Sequence, residues 1–541
     1  MLRLTLDGLR DRSAWEEIGV ILPRFDIQNM RKQTQAHPVW VHFGAGNIFR
    51  GYIARLQQEL LNEGAAQSGI IVAETYDYEI IDRIYIPHDN LALLVSLDPD
   101  GNTEKTVVAS IAKAVCTRPE ESAQMAYLND VFENPALQLV SFTITEKGYA
   151  LTDMQGKLLL TAAADMQNGP EQARHVIGCV TALTLRRYMA DAYPLALLSL
   201  DNCSHNGERL RTAMLKMANA WYEKGFVDAG FVAYLQDEDR VSFPFSMIDK
   251  ITPRPSDIIA AQLIELGLEK AAPVVTEKNT FIAPFVNAEV PEYLVIEDRF
   301  PNGRPALERT GVYFTDRDTV NKTEKMKVTA CLNPLHTALA VYGCLLGYSS
   351  IAVQMRDPDL VRLAETIGYN ESLPIVNHPG ILEPKTYLQE VLEKRLPNPY
   401  IPDTPQRIAT DTSQKIPIRF GETIKAYLAD EKQSANSLTA IPLAIAGWLR
   451  YLLGTNDLLE PMPLSSDPML GELTAALHGI VAGKPETYHG ELKSILKNSV
   501  LFAVDLFQAG LGNKIEEMFV AQLAGKGAVR AALKKYLGAC Y

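Results

Sequence analysis

Two lysines, an asparagine and a histidine stand close together in the stretch 323–336: Lys325, Lys327, Asn333 and His336. Asn333 and His336 are three residues apart, which puts them on one face of a helix. The run from Val328 to Leu346 is otherwise mostly apolar, and a buried amide and imidazole both need hydrogen-bond partners there. A lysine beside apolar surroundings can lose its proton near neutral pH and act as a base. Lysine, asparagine and histidine converging on one point would suit proton removal from a hydroxyl, with two donors holding the oxygen that results. The same residues also fit a core helix whose asparagine and histidine are simply satisfied.

A second constellation lies in residues 38–51. A short apolar strand runs into Gly44-Ala45-Gly46-Asn47-Ile48-Phe49-Arg50, and an amphipathic pattern follows from Ile48 to Leu61. Strand, glycine turn and helix form the phosphate cradle of a dinucleotide fold, with Gly44 permitting the turn and Gly46 the close approach of a pyrophosphate. Phe49 occupies the place of the usual third glycine. A second strand at 69–74 ends in Glu74, positioned to accept hydrogen bonds from ribose hydroxyls, with Asp77 in reserve. Its charge would repel a 2′-phosphate, which favours NAD over NADP.

Further polar groups sit at the ends of apolar runs. Thr145-Glu146-Lys147-Gly148-Tyr149 follows a strand at 137–145, and Glu146 is a cofactor or substrate contact or else a solvated charge. Asp201-Asn202-Cys203-Ser204-His205-Asn206-Gly207 crowds the end of a strand at 194–200, where a turn and helix cap could account for Asp201 and Asn206. Asp249 and Lys250 form an acid–base pair in an apolar frame. Arg407, Lys415 and Arg419 could bind an anionic or polyhydroxyl substrate, an arginine by bidentate contact with a carboxylate.

The elements that must hold these groups can be read from the apolar pattern. Strands alternate with helices through the first half, with a hairpin at 91–97 and 105–112 turning through Asp98-Pro99-Asp100-Gly101 and a long helix at about 171–191. Short strands are expected at 274–275, 293–296 and 311–314. From about residue 318 the pattern is helical to the end. This predicts an α/β chain: a Rossmann-type domain over 1–318 and a mostly α-helical domain over 319–541. A chain of 541 residues is too long for one core, and 47% apolar with 22% charged residues is the composition of a globular protein. A net charge of -13 argues against a nucleic-acid partner. Six scattered cysteines without a C-x-x-C pair fit free thiols in a reducing compartment. Cys203 and His205 lack partners at metal-ligand spacing. The N-terminus has no signal-peptide core, and residues 331–352 read as a buried helix rather than a membrane span. A cytoplasmic location is expected.

Taken together, five motifs resemble the polyol-specific long-chain dehydrogenases, the mannitol dehydrogenase family: Gly44 to Gly51, Thr145 to Tyr149, Asp201-Asn202 with His205-Asn206-Gly207, Met247 to Pro253, and Asn333-x-x-His336. They keep the family's order along nearly the whole chain, and the likeness is strongest to its hexuronate branch. The resemblance implies a metal-independent NAD enzyme with its active site between the two domains. It implies Lys327 as general acid and base, Asn333 and His336 as the oxyanion pair, Asn202 as a further active-site amide and Glu324 as a proton exchanger. Arg407, Lys415, Asp249 and Lys250 would meet substrate. The expected reaction is reversible reduction of a keto-hexuronate to an aldonate. A neutral polyol such as mannitol, or a tagaturonate, is the alternative; a non-catalytic NAD-binding scaffold is the remote one. The partner is a small sugar acid or polyol, with neither nucleic acid nor membrane, and the chain a monomer or weak homo-oligomer.

Two departures from the family pattern are visible. Ile248-Asp249-Lys250 stands where Val-Asp-Arg is usual, and Lys327 lies six residues before Asn333 where the family has five. On a regular helix of about 100° per residue, Lys327 would point away from His336 and Lys325 toward it. One extra residue can be absorbed as a π-bulge, so an irregularity between Lys327 and Asn333 is predicted.

Overall fold

The computed structural model describes residues 1–118, 120–153 and 155–538. The chain divides into two compact units, Met1–Asn321 and Lys322–Tyr541. The first is built on a six-stranded sheet of β1 (Trp40–Phe43), β2 (Ile70–Glu74), β3 (Ile111–Cys116), β4 (Leu139–Phe142), β5 (Leu195–Ser199) and β6 (Val241–Ser242). Their order is β3-β2-β1-β4-β5-β6 and every pairing is parallel. A parallel sheet needs cover on both faces, and the sequence supplies it by alternation. Trp40, Ile70, Val72 and Leu139 face one core with Leu56 and Leu60 of the helix Ala54–Asn62. Val41, Phe43, Ile71 and Val140 face the other, with Val180 and Leu183 of Val176–Asp191 and Met214 and Trp221 of Asn206–Glu223.

Three elements differ from the sequence reading. The expected second arm of the hairpin splits: Thr103–Val108 pairs antiparallel with Ala92–Leu97, while Ile111–Cys116 crosses to the parallel sheet as β3. The two apolar runs adjoin, so periodicity alone could not separate them. Phe285–Glu289 is a strand, paired parallel with Ala92–Leu97; Asn287 and Glu289 disguise it, yet both are buried. The long helix starts at Val176 rather than near 171, because Pro170–Gln172 forms a separate 3₁₀ turn and His175 caps the helix by accepting the Ile177 N–H.

The second unit is helical, with no strand among its described residues. Asn333–Leu346 and Ala440–Tyr451 are its buried centre. The Tyr342 hydroxyl donates to Leu443 O at 2.9 Å, and Gly447 clears space for its ring, 2.8 Å from where a Cβ would stand. Glu371 caps the start of Ala440–Tyr451 by accepting the N–H groups of Thr439, Ala440 and Ile441. The apolar segment Arg317–Leu346 has the length of a membrane span, but 72% of its most apolar window is buried inside the protein. Cys116, Cys179, Cys203, Cys331 and Cys344 are free thiols; Cys540 lies outside the described residues.

Candidate active site

In the first unit the glycine turn follows β1 directly. Gly44 has φ +108°, and a Cβ there would collide with Thr143 O beyond the end of β4. Gly46 differs: a Cβ would meet no protein atom within 4 Å, so its surroundings are open where a dinucleotide would lie. The following helix opens with a π turn, Phe49–Ile53, before Ala54–Asn62. Phe49 is fully buried and stacks on His42, centroids 4.3 Å apart and planes at 11°. The close approach usually given to the third glycine falls to Gly51, whose Cβ would stand 2.8 Å from Val286 Cγ1. His42 spans Ser141 Oγ and Thr143 Oγ1 at 2.7 and 2.8 Å, and burial pushes its pKa down to about 3.

A cavity of about 820 Å³ opens at the carboxyl ends of β1, β2 and β4, lined by Gly44, Gly46, Glu74, Asp77, Thr143 and Lys278 among others. This is the switch point of the strand order, where a doubly wound sheet binds its ligand. The open glycine and the adjoining helix start suit a pyrophosphate, and the cavity volume leaves room for the adenosine.

Several residues assigned to the cofactor have other work. The Glu74 carboxylate accepts the N–H groups of Ala45, Thr75, Tyr76 and Asp77. Burial raises its pKa, with those four N–H groups opposing. It therefore braces the turn while lining the cavity. Asp77 likewise accepts from Thr276 Oγ1 at 2.6 Å and from Thr280 Oγ1. Arg50 is buried, donating to Ala283 O and Asn47 Oδ1, while Asn47 donates to Pro253 O. Arg50 thus ties the helix to the domain. Ala45 contributes backbone, its N–H to Glu74 and its carbonyl to Tyr85 Oη, and Ile48 packs against the core. Glu146 is outside the cavity lining and pairs with Arg209 at 2.8 Å on the surface.

The crowded tip of β5 also resolves into scaffolding. Asp201 accepts the N–H groups of Ile144 and Thr145 and the Tyr149 hydroxyl. Asn206 is buried and binds Ser246 through both ends of its amide. Asn202 alone of the three is exposed. Asp249 is buried at the end of the strand Ser246–Asp249. Lys250 is not placed for substrate: its ammonium is sealed among Glu289 O, Val290 O and Glu292, with 3% of the side chain exposed.

The helix Arg317–Met326, whose last turns open the second unit, passes into a π turn, Lys327–Cys331, and resumes at Asn333 after Leu332, which is non-helical (φ -128°, ψ -62°). The predicted irregularity is therefore present, and Leu332 N donates five residues back to Lys327 O at 3.1 Å. Pro334 explains the place, since it lacks the N–H that a regular helix would direct to Ala330 O. Thr423 Oγ1 donates to Thr329 O, satisfying one carbonyl of the distorted turn. The consequence is that Lys327 is buried, 2% exposed, whereas Lys325 is exposed and pairs with Glu422 at 3.4 Å. Glu324, one turn earlier, is half-buried.

Asp403, which the sequence reading passed over, organises the rest. His336 Nε2 stands 3.3 Å from Asp403 Oδ2, close enough for the carboxylate to orient the ring. Arg407 pairs with the other Asp403 oxygen. Burial would raise the Asp403 carboxyl, but His336 and Arg407 hold it below its usual range. Burial lowers the His336 pKa, Asp403 opposing and Arg419 and Arg407 adding to the drop. The spacing of Asp403 and Arg407, four residues apart, was the available signal. Lys415 donates to Ile408 O at 2.9 Å and to Thr410 O; burial and the nearby Arg419 push its pKa down to about 8. Arg419 Nη1 donates to Thr337 Oγ1 at 2.6 Å, and Thr337 donates in turn to Asn333 O at 3.0 Å.

The mannitol dehydrogenase Rossmann domain family matches residues 39–309, and the mannitol dehydrogenase C-terminal domain family matches residues 319–522. A D-mannonate oxidoreductase from Thermotoga maritima is 50% identical over 539 residues, 99% of each chain. The solved Pseudomonas fluorescens mannitol 2-dehydrogenase, in ternary complex with NAD and D-mannitol, matches with a TM-score of 0.70 at 26% identity over 99% of both chains. A D-sorbitol dehydrogenase crystal structure matches with a TM-score of 0.76 at 25% identity, over 95% of this chain and 97% of its own.

Proposed function

The chain belongs to the mannitol dehydrogenase family of NAD-dependent oxidoreductases acting on CH–OH groups, and from that premise we propose that it interconverts a keto-hexuronate, fructuronate, and the aldonate mannonate. The observation that carries the reading is the π turn at Lys327–Cys331, which buries the Lys327 amine ahead of Asn333 and His336 while Lys325 stays outside.

NAD(H), when bound, supplies or accepts the hydride. Gly44 shapes the turn and Gly46 leaves the room that the dinucleotide takes up, while Glu74 holds the loop in place by binding its amides. In reduction, Lys327 gives its proton to the carbonyl oxygen as the C–H bond forms at the carbon. In oxidation, the neutral amine removes the hydroxyl proton. Asn333 and His336 hold the oxygen while it carries charge. A neutral imidazole, kept so by burial, can donate one N–H without bringing a full charge. Asn202, Glu324 and Asp249 are assigned to substrate and proton handling by the same family pattern. The likeness to a D-mannonate oxidoreductase over 99% of the chain supports the acid substrate, as does the group of cations Arg407, Lys415 and Arg419 in an acidic protein.

NADH oxidation measured side by side with fructuronate, tagaturonate and fructose tests the reading. Fructuronate is expected to have the highest kcat/KM, at least ten-fold above either competitor. Equal or better reduction of fructose would overturn the acid substrate and leave a polyol dehydrogenase.

A further inference from the structure

Arginines of this protein that are buried or half-buried differ in how their guanidinium forks are filled. Arg187 spends its nitrogens on five backbone carbonyls, those of Tyr193, Phe132, Asn134, Leu137 and Pro194. Arg450 is similarly caged by Gln522 O, Thr455 O and Asn456 O, and Arg530 by Asp357 and Asp359. These are closed structural sites. Arg419 is not. Its one hydrogen bond is from Nη1 to Thr337 Oγ1, and no carboxylate among the described residues pairs with it. Its remaining nitrogens are not sealed either, since no Arg419 atom is both buried and unsatisfied. Arg419 is half-buried, and the unfilled side of its fork is open to water and therefore to an anion that could displace it.

Its position gives the anion an identity. Thr337, its one partner, is the neighbour of His336 and hydrogen-bonds to Asn333 O. The fork is thus anchored to the turn that carries the proposed oxyanion pair. Arg407, the arginine that the sequence pattern favoured for the acid, is already paired with Asp403 and mostly exposed. Lys415 is directed at the carbonyls of Ile408 and Thr410. We propose that Arg419 is the specificity-determining residue that takes the substrate carboxylate in its open fork, with Arg407 and Asp403 serving instead to position His336. This rests on the keto-hexuronate reading and sharpens it. A planar fork matches a carboxylate by two parallel hydrogen bonds and gains nothing comparable from a terminal CH₂OH group.

Titration calorimetry of the NADH-loaded protein, which cannot accept a hydride, with D-mannonate and with D-mannitol separates the possibilities. The wild-type protein is expected to bind the acid at least 30-fold more tightly than the neutral polyol. Arg419→Gln should reduce that ratio to within about three-fold, and Arg419→Lys should restore part of it, while Arg407→Gln keeps most of the preference. Thermal unfolding and NADH affinity, followed in each variant, show that the fold survives; should Arg419→Gln unfold, the Arg419→Lys ratio decides by falling or staying. A wild-type preference that persists in Arg419→Gln and Arg419→Lys but disappears in Arg407→Gln overturns the assignment and leaves the acid substrate standing. No wild-type preference for the acid overturns both.

Discussion

At the residue scale, the chemistry depends on which of two lysines is buried. Lys325 reaches Glu422 across a surface ion pair, which is screened and contributes little. Lys327 is enclosed. Lys327→Ala is expected to lower kcat by about 10²–10⁴-fold, the usual range for a lost general acid or base, with NADH affinity unchanged. Lys325→Ala should stay within a few-fold of wild type in steady-state assays. The reverse result would move the catalytic role to Lys325. Asp403 shows the same scale from another side: one carboxylate, held ionised, touches both a histidine and an arginine.

At the scale of elements, two π turns set the geometry. Phe49–Ile53 lets the helix after β1 start with a phenylalanine where a glycine is usual, and shifts the close contact to Gly51. Lys327–Cys331 accommodates Pro334 and the extra residue ahead of Asn333. The glycines of the first turn make a paired test, since they are needed for different reasons. Gly44→Ala meets a positive φ and the Thr143 carbonyl, so it should destabilise the domain by about 1–3 kcal/mol as read by urea unfolding. Gly46→Ala meets no protein atom. It should leave the unfolding midpoint unchanged and weaken NADH binding at least ten-fold by fluorescence titration. Unchanged binding in Gly46→Ala would place the pyrophosphate elsewhere.

At the scale of the whole molecule, the buried histidine of the central strand links folding to pH. His42 has a pKa pushed from 6.5 down to about 3. Between those values the unfolded chain binds a proton that the folded chain refuses, so stability is full above pH 6.5 and falls as pH drops. The loss from this one group is about 2 kcal/mol at pH 5. His42→Gln, which can still bridge Ser141 and Thr143, should reduce the difference in unfolding free energy between pH 7 and pH 5 by about that amount. An undiminished acid sensitivity would show that other groups dominate.

The order of motifs along the chain determined the family, the parallel sheet, the helical second half and the distortion after Lys327. Each follows from local information: a glycine turn after an apolar strand, a 3.6-residue period, and a proline beside one residue too many. What only the tertiary structure decided is which polar side chains are already spoken for. Glu74, Arg50, Lys250 and Asp201 carry the right chemistry at suggestive places, yet each is committed to amides, carbonyls or a carboxylate of the fold. Arg407 and Arg419 look interchangeable as letters, and they part because one lies four residues after Asp403 and the other meets only a hydroxyl. Hydrogen-bond capacity is used up by neighbours distant in sequence, so availability, unlike residue type, is a property of the folded chain.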